Sequence, residues 1–346
     1  MTMWYQQAAK EINVEMKLEA IKRQSVLTKP PGSLGQLEAV AVALASMQGA
    51  VKPVLKKPYI AIFAGDHGVA NQGVSAFPQV VTGEMIRNFS AGGAAITVMA
   101  KQMNAGFSVL NMGTAYYVEP LEGVIDVSIK PGTDDFSQQP AMTPAETEAC
   151  LQTGADFIDG LDCDIFIGGE MGIANTTSAS ALATVLLVQN ADDLAGPGTG
   201  VSKDVVDHKA QVIAAAIDLH QPSAEQPVAL LAALGGLEIA GLVGAYIRCA
   251  QRGLPILVDG FIATVAALIA VKINPSVRDW MLFGHSSAEP GHVKVLRQLE
   301  AKPILQLDMR LGEGSGAAVA YSVVQSALAL HNQMASFADA GVSTGE

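Results

Sequence analysis

Four times along this chain a short apolar run ends in a polar glycine turn and gives way to a helix-length stretch. That alternation restricts the fold more than any single residue does. Tyr59-Ile60-Ala61-Ile62-Phe63-Ala64 runs into Gly65-Asp66-His67-Gly68, and Phe107-Ser108-Val109-Leu110 into Asn111-Met112-Gly113. Ile165-Phe166-Ile167 runs into Gly168-Gly169-Glu170-Met171-Gly172, and Pro255-Ile256-Leu257-Val258 into Asp259-Gly260. Apolar residues at helical spacing over 78–101, 144–161, 204–220 and 229–252 fill the intervals. Strands that are continuously apolar are buried on both faces. The expected fold class is therefore α/β, a mostly parallel Rossmann-like sheet covered by helices on both faces. Sheets of this kind bind ligands beyond the carboxyl ends of their strands, where the four glycine turns lie.

The first strand is expected to begin just after Pro58, because proline lacks the amide that a central strand needs. Residues 1–28 read as one amphipathic helix, stopped by Lys29-Pro30-Pro31-Gly32-Ser33, and residues 34–47 as a second. Helical spacing returns over 317–331. The chain is accordingly divided into a large α/β domain, residues 30–308, and a small helical domain formed by both ends, residues 1–29 and 309–346.

A formal charge of −12 argues against a nucleic-acid or anionic-membrane surface, so any phosphate must be held locally by backbone amides and a few cations. The longest apolar run, residues 260–271, is too short to span a bilayer, and the first 25 residues lack the uncharged core of a signal peptide. A cytoplasmic protein is expected. Cys150, Cys163 and Cys249 are widely spaced without a CxxC, which fits small hydrophobes of a reducing compartment and not a disulfide set or metal site.

Three stretches could carry chemistry. In Met309-Arg310-Leu311-Gly312-Glu313-Gly314-Ser315-Gly316, one carboxylate sits among three glycines at a helix start. Glu313 is then either a general base or a residue that complements the helix macrodipole, and spacing alone favours the second. Gly196-Pro197-Gly198-Thr199-Gly200 can present consecutive amides as an anion nest, with lysines nearby, or be a surface turn. It is neither a Walker loop nor a dinucleotide fingerprint. Glu170 is followed by Asn175, Thr176 and Thr177, which could bind a ribose or phosphate, or cap the next helix. Asp66-His67 reads as a hydrogen-bonded turn, and His285-Ser286-Ser287-Ala288-Glu289 lacks a nucleophile elbow.

Six segments in order carry a resemblance: Lys29 to Gly35, Asp66 to Val69, Gly169 to Thr177, Val258 to Phe261, His285 to Glu289 and Arg310 to Gly316. Across about residues 28–335 the chain resembles the nicotinate mononucleotide:dimethylbenzimidazole phosphoribosyltransferases of cobamide (vitamin B12-type) biosynthesis. The resemblance implies transfer of the phosphoribosyl group to an aromatic base, with release of nicotinate and formation of an α-riboside 5′-phosphate. It makes Glu313 the general base and places Glu170 beside the reacting carbon with Gly172, Asn175 and Ser287. Gly198, Thr199, Gly200 and Lys209 would hold the 5′-phosphate. Phe77, Met85, Met171, Leu311 and Gly312 would form the acceptor pocket. Phe77, Met85 and Met171 stand where benzimidazole-preferring members can carry small or polar side chains, so a single-ring acceptor such as phenol or p-cresol is an alternative, unless the three are ordinary core. No cofactor or metal is implied, since the donor already carries a cationic pyridinium. A dimer is implied, homodimeric or heterodimeric with a paralogue. The alternative function is a catalytically silent subunit that supports an active paralogue. A nicotinamide-dependent dehydrogenase is set aside for want of a strand-linked G-x-G-x-x-G.

Overall fold

The apolar runs become the strands of one parallel sheet. The computed structural model describes residues 3–196, 198 and 200–343, and among these the strands are β1 (Pro58–Gly65), β2 (Gly106–Gly113), β3 (Val124–Asp126), β4 (Ile165–Met171), β5 (Ile256–Val258) and β6 (Met281–Phe283). Their order is β3-β2-β1-β4-β5-β6, and each neighbouring pair is parallel. From β1 the chain winds outward through β2 to β3, then returns to the other side of β1 and winds outward again from β4 to β6. The direction of winding reverses between β1 and β4, the switch point at which doubly wound sheets open a crevice at their carboxyl edge. There Phe63 is paired with Glu170 and Ala64 with Met171. Strand β1 begins at Pro58 itself, one residue earlier than expected, because a first strand residue need not donate to the ladder. Neither β3 nor β6 stood out in the sequence: three residues are too few for a periodic signal, and β3 is partly exposed at the sheet edge.

Helices cover the sheet: α1 (Val14–Val26), α2 (Gln36–Gln48), α3 (Val80–Ser90), α4 (Ala95–Met103), α5 (Pro144–Asp159), α6 (Asn175–Leu187), α7 (Lys203–His220), α8 (Pro227–Leu234), α9 (Leu237–Arg252), α10 (Phe261–Ile273), α11 (His292–Gln298), α12 (Ser315–Gln333) and α13 (Phe337–Ala340). Two expected helices are each a pair. The 78–101 stretch breaks around Gly92-Gly93 and the 229–252 stretch at Gly235-Gly236, since each glycine costs about 1 kcal/mol in a helix interior. The first helix starts at Val14, not at the terminus. Asn13 caps it through the Met16 amide at 2.9 Å, while the preceding segment is pinned to the far side of the fold by Ala9 N to Ser276 Oγ (2.8 Å) and Trp280 Nε1 to Lys10 O (2.8 Å).

The chain ends meet. Arg23 donates to the carbonyls of His331, Asn332 and Met334 at 2.7, 3.1 and 3.3 Å, so a cation from α1 closes the carbonyl end of α12. The helices α5 and α9 approach backbone to backbone: a Cβ on Gly154 would lie 2.0 Å from the Gly241 carbonyl oxygen. Gly154→Ala is therefore expected to cost about 1–3 kcal/mol, the usual penalty of overpacking, read as a lower denaturant midpoint at unchanged slope. An unshifted midpoint would mean that the two helices slide apart freely. Cys150 and Cys249 are buried and Cys163 half-buried, all as free thiols, and burial pushes the Cys163 thiol up to about 12. No described helix is long and apolar enough to cross a membrane.

Candidate active site

At the carboxyl edge of β4 and β5 lies a cavity of about 510 Å³, roofed by the 309–315 segment. That segment takes an unusual path. Gly312, Glu313 and Gly314 have successive φ values of 82°, 62° and 78°, a left-handed run that glycine adopts freely and glutamate only under constraint. Two buried carboxylates impose it. Glu170, at the end of β4, accepts the Glu313 amide. Asp259, just past β5, accepts Gly314 N at 3.1 Å and Ala317 N at 2.8 Å. The turn also rests directly on β4, because a Cβ on Gly169 would lie 2.7 Å from the Glu313 carbonyl.

This arrangement bears on the two roles open to Glu313. The positive end of α12 is satisfied by Asp259, and the helix has no side-chain cap of its own. Glu313 is thus not the cap, and its carboxylate lines the cavity. Burial, reinforced by the nearby negative charge of Asp259, pushes its pKa up to about 7. A carboxylate with that proton affinity can take a proton near neutral pH.

Glu170 is more deeply held. Asn175, the first residue of α6, donates through Nδ2 to Glu170 Oε2, and neither Asn175 nor Thr176 caps that helix. Burial drives the Glu170 pKa well above the ordinary carboxylate range, with Asp259 and Glu238 adding to it, while Asn175 and the Glu313 amide oppose it. Asp259 is also raised by burial and is opposed first by His285, whose Nε2 lies 3.7 Å from Asp259 Oδ1. Beneath the cavity floor His67 Nε2 meets Glu238 Oε1 at 2.7 Å, both side chains wholly buried.

Elsewhere in the cavity wall the Glu289 carboxylate lies between Gly198 and two cations, Lys209 and Arg310. Gly198 lines the cavity with φ 49° and donates its amide to Glu289. Lys209 is buried behind it, its Nζ donating to Thr176 Oγ1 and to the Gly196 carbonyl, both at 3.1 Å. Burial lowers the Lys209 pKa to about 8, held up in part by Glu289. Glu289 itself is raised by burial and opposed by Lys209 and Arg310. An acidic chain thus gathers Lys209 and Arg310 at one cavity.

Of the residues singled out from the sequence, Glu170, Met171, Gly172, Asn175, Gly198, Ser287, Leu311, Gly312, Glu313 and Phe77 come together in the cavity wall. Lys209 stands one hydrogen bond behind it, through Thr176. Met85 is not part of the wall; it packs half-buried from α3 against the core and accepts weakly from Asn88 Nδ2 at 3.9 Å. Gly200 is exposed, and Thr199 lies outside the described residues. Sequence reasoning assigned no role to Asp259, His285, Glu289 or Arg310, although each belonged to a quoted segment. The usable signal was their place just past strands β5 and β6 or beside Glu313. Among the described residues no group of His, Cys, Asp and Glu could hold a metal ion.

Comparison with known proteins identifies the family. The family model described as Phosphoribosyltransferase matches residues 9–342. A nicotinate-nucleotide–dimethylbenzimidazole phosphoribosyltransferase of Ectopseudomonas mendocina is 51% identical over 343 residues, covering 98% of both chains. The enzyme of the same name from Pseudomonas aeruginosa is 50% identical with the same coverage. Among solved structures, CobT from Thermus thermophilus superposes with a TM-score of 0.91 at 40% identity, over 96% of this chain and 100% of that one. The chain belongs to the nicotinate-nucleotide–dimethylbenzimidazole phosphoribosyltransferase family.

Proposed function

We propose that this chain transfers the phosphoribosyl group of nicotinate mononucleotide to 5,6-dimethylbenzimidazole for cobamide assembly, with Glu313 as general base. The observation that carries the reading is a carboxylate that faces the cavity, is relieved of any capping role, and has a pKa near 7. The unprotonated ring nitrogen of the acceptor attacks C1′ from the face opposite nicotinate, and the proton on the other ring nitrogen passes to Glu313. The C1′–pyridinium bond breaks with its electron pair returning to the ring nitrogen, which discharges the cation and needs no Lewis acid. Inversion gives the α-riboside. Gly198, Thr199, Gly200 and Lys209 hold the 5′-phosphate, and Glu170, Gly172 and Asn175 keep the ribose under the Glu313 turn. Phe77, Met171 and Leu311 supply an apolar slot for a flat acceptor. Since Met85 stands outside the wall, the case for a narrower phenolic slot rests on Phe77 and Met171 alone, and dimethylbenzimidazole is the preferred acceptor.

We further propose a dimer in the cytoplasm, with the α/β domain at 30–308 and a helical unit from 1–29 and 309–346. Purified protein with nicotinate mononucleotide and dimethylbenzimidazole, or phenol in a parallel tube, tests the function by product mass. Benzimidazole riboside phosphate is expected. A phenolic product alone would reassign the acceptor, and no product in either tube would replace the enzyme with a silent subunit.

A further inference from the structure

Ser287 reaches the cavity from the loop after β6, and its neighbours fix what its hydroxyl can do. The backbone amide of Ser287 donates to His292 Nδ1 at 2.8 Å, so that ring nitrogen carries no proton. On the other side of the ring, His292 Nε2 lies 2.9 Å from Thr264 Oγ1. An imidazole with a bare Nδ1 carries its single proton on Nε2, so Nε2–H donates to Thr264 Oγ1, and Thr264 Oγ1 in turn lies 3.4 Å from the Asp259 carbonyl. The imidazole is therefore neutral, in the Nε2–H tautomer, and it is wholly buried in α11. Ser287 Oγ also lies 2.8 Å from the bare Nδ1. Two lone pairs would repel at that separation, so the Ser287 hydroxyl proton points at the ring. What Ser287 turns to the cavity is a pair of acceptor lone pairs.

We infer that His292 is a positioning residue that makes Ser287 an obligate hydrogen-bond acceptor, so that Ser287 receives a ribose hydroxyl of the nucleotide and does not bind its phosphate. The chemistry follows from the bonds above. A ribose hydroxyl can donate to those lone pairs; a phosphate oxygen meets only another acceptor. The same ring joins Ser287 to Thr264 and through it to the backbone of Asp259, whose carboxylate holds the Glu313 turn. One neutral histidine thereby ties the sugar contact to the strand end that positions the base.

The inference rests on nicotinate mononucleotide as the donor, and binding separates the two. Titration calorimetry with nicotinate mononucleotide, its 2′-deoxy and 3′-deoxy analogues and the 5′-dephosphorylated nucleoside would be run on the parent chain and on Ser287→Ala, His292→Asn and His292→Leu. In the parent, loss of the recognised hydroxyl should weaken binding by about tenfold, the worth of one hydrogen bond. In Ser287→Ala that penalty should fall below about twofold, while the penalty for removing the phosphate stays. His292→Asn places an amide oxygen where Nδ1 was and should keep the hydroxyl penalty; His292→Leu should lose it. In turnover these losses should appear in KM before kcat. Because His292→Leu could fail to fold, nitrogen NMR of the parent imidazole gives an independent reading, an unprotonated Nδ1 beside a protonated Nε2. A proton on Nδ1, or a Ser287→Ala loss that follows the phosphate and not a hydroxyl, overturns the inference. Tight nucleotide binding with the hydroxyl coupling but no turnover would leave it standing and defeat the proposed transfer. No binding of any nucleotide overturns both.

Discussion

Replacing Glu313 by Gln is expected to lower kcat by about 100- to 10,000-fold with little change in nucleotide affinity, the range for loss of a positioned general base. Gln preserves volume and leaves the Glu313 amide on Glu170, so the turn survives and only the proton acceptor is lost. The parent's kcat should rise with pH through about 7 as the carboxylate ionises, and this limb should vanish in the variant. The stability effect has the opposite sign. A carboxyl raised from 4.5 to about 7 on folding binds a proton that the unfolded chain releases in that window. Its contribution is present below pH 4.5 and is lost as pH rises through 7. Because the carboxylate faces an open cavity, screening reduces the effect to about 1–2 kcal/mol. Glu313→Gln should then be more stable than its parent by that amount at pH 8, in urea titrations at both ends of the window. Full turnover by Glu313→Gln would remove the carboxylate from the mechanism.

Asp259→Ala is expected to be the most destabilising single change near the site, by about 2–6 kcal/mol, because it leaves two buried backbone amides without an acceptor, at about 1–3 kcal/mol each. Gly314 N and Ala317 N would lose their acceptor, and His285, buried 3.7 Å away, its neighbouring negative charge. The same change takes away the charge that helps to raise Glu313. In whatever fraction remains folded, the acidic limb of the rate profile should therefore move below pH 7. Asp259→Asn, which keeps an acceptor oxygen without the charge, should recover part of the stability but show the same displaced limb. Unfolding of Asp259→Ala at the parent's denaturant midpoint would mean that the Glu313 turn is held by something other than this carboxylate.

Much of the architecture was legible in the residues because it depends on short-range physics. Continuous apolar runs such as Tyr59 to Ala64 demand burial on both faces, and helical periodicity between them demands parallel crossovers, so the sheet and its ligand edge followed from pattern alone. Glycines at 235 and 236 break a helix for reasons just as local, although the apolar periodicity running through them concealed the break. Six ordered segments likewise made the family recognisable, and the model match over residues 9–342 and relatives at 51% identity agree.

For Glu313 local spacing and the resemblance pointed in different directions. On spacing alone it looked like a residue serving its own helix, because an acid at a helix start answers the macrodipole. Only the tertiary structure brings Asp259, 55 positions earlier, to the Gly314 amide, and Glu170 to the amide of Glu313 itself. Met85 shows the converse: the resemblance put it at the acceptor pocket, while the structure packs it half-buried from α3 against the core, outside the cavity wall. The sequence by itself determined the four longer or central strand runs, β1, β2, β4 and β5, the turns that follow them, and that any phosphate would have to be held by local amides and scarce cations. Which carboxylate is spent on structure and which is left facing the cavity was decided only by the fold, since hydrogen-bond acceptors are allotted by proximity in space and burial converts that allotment into proton affinity.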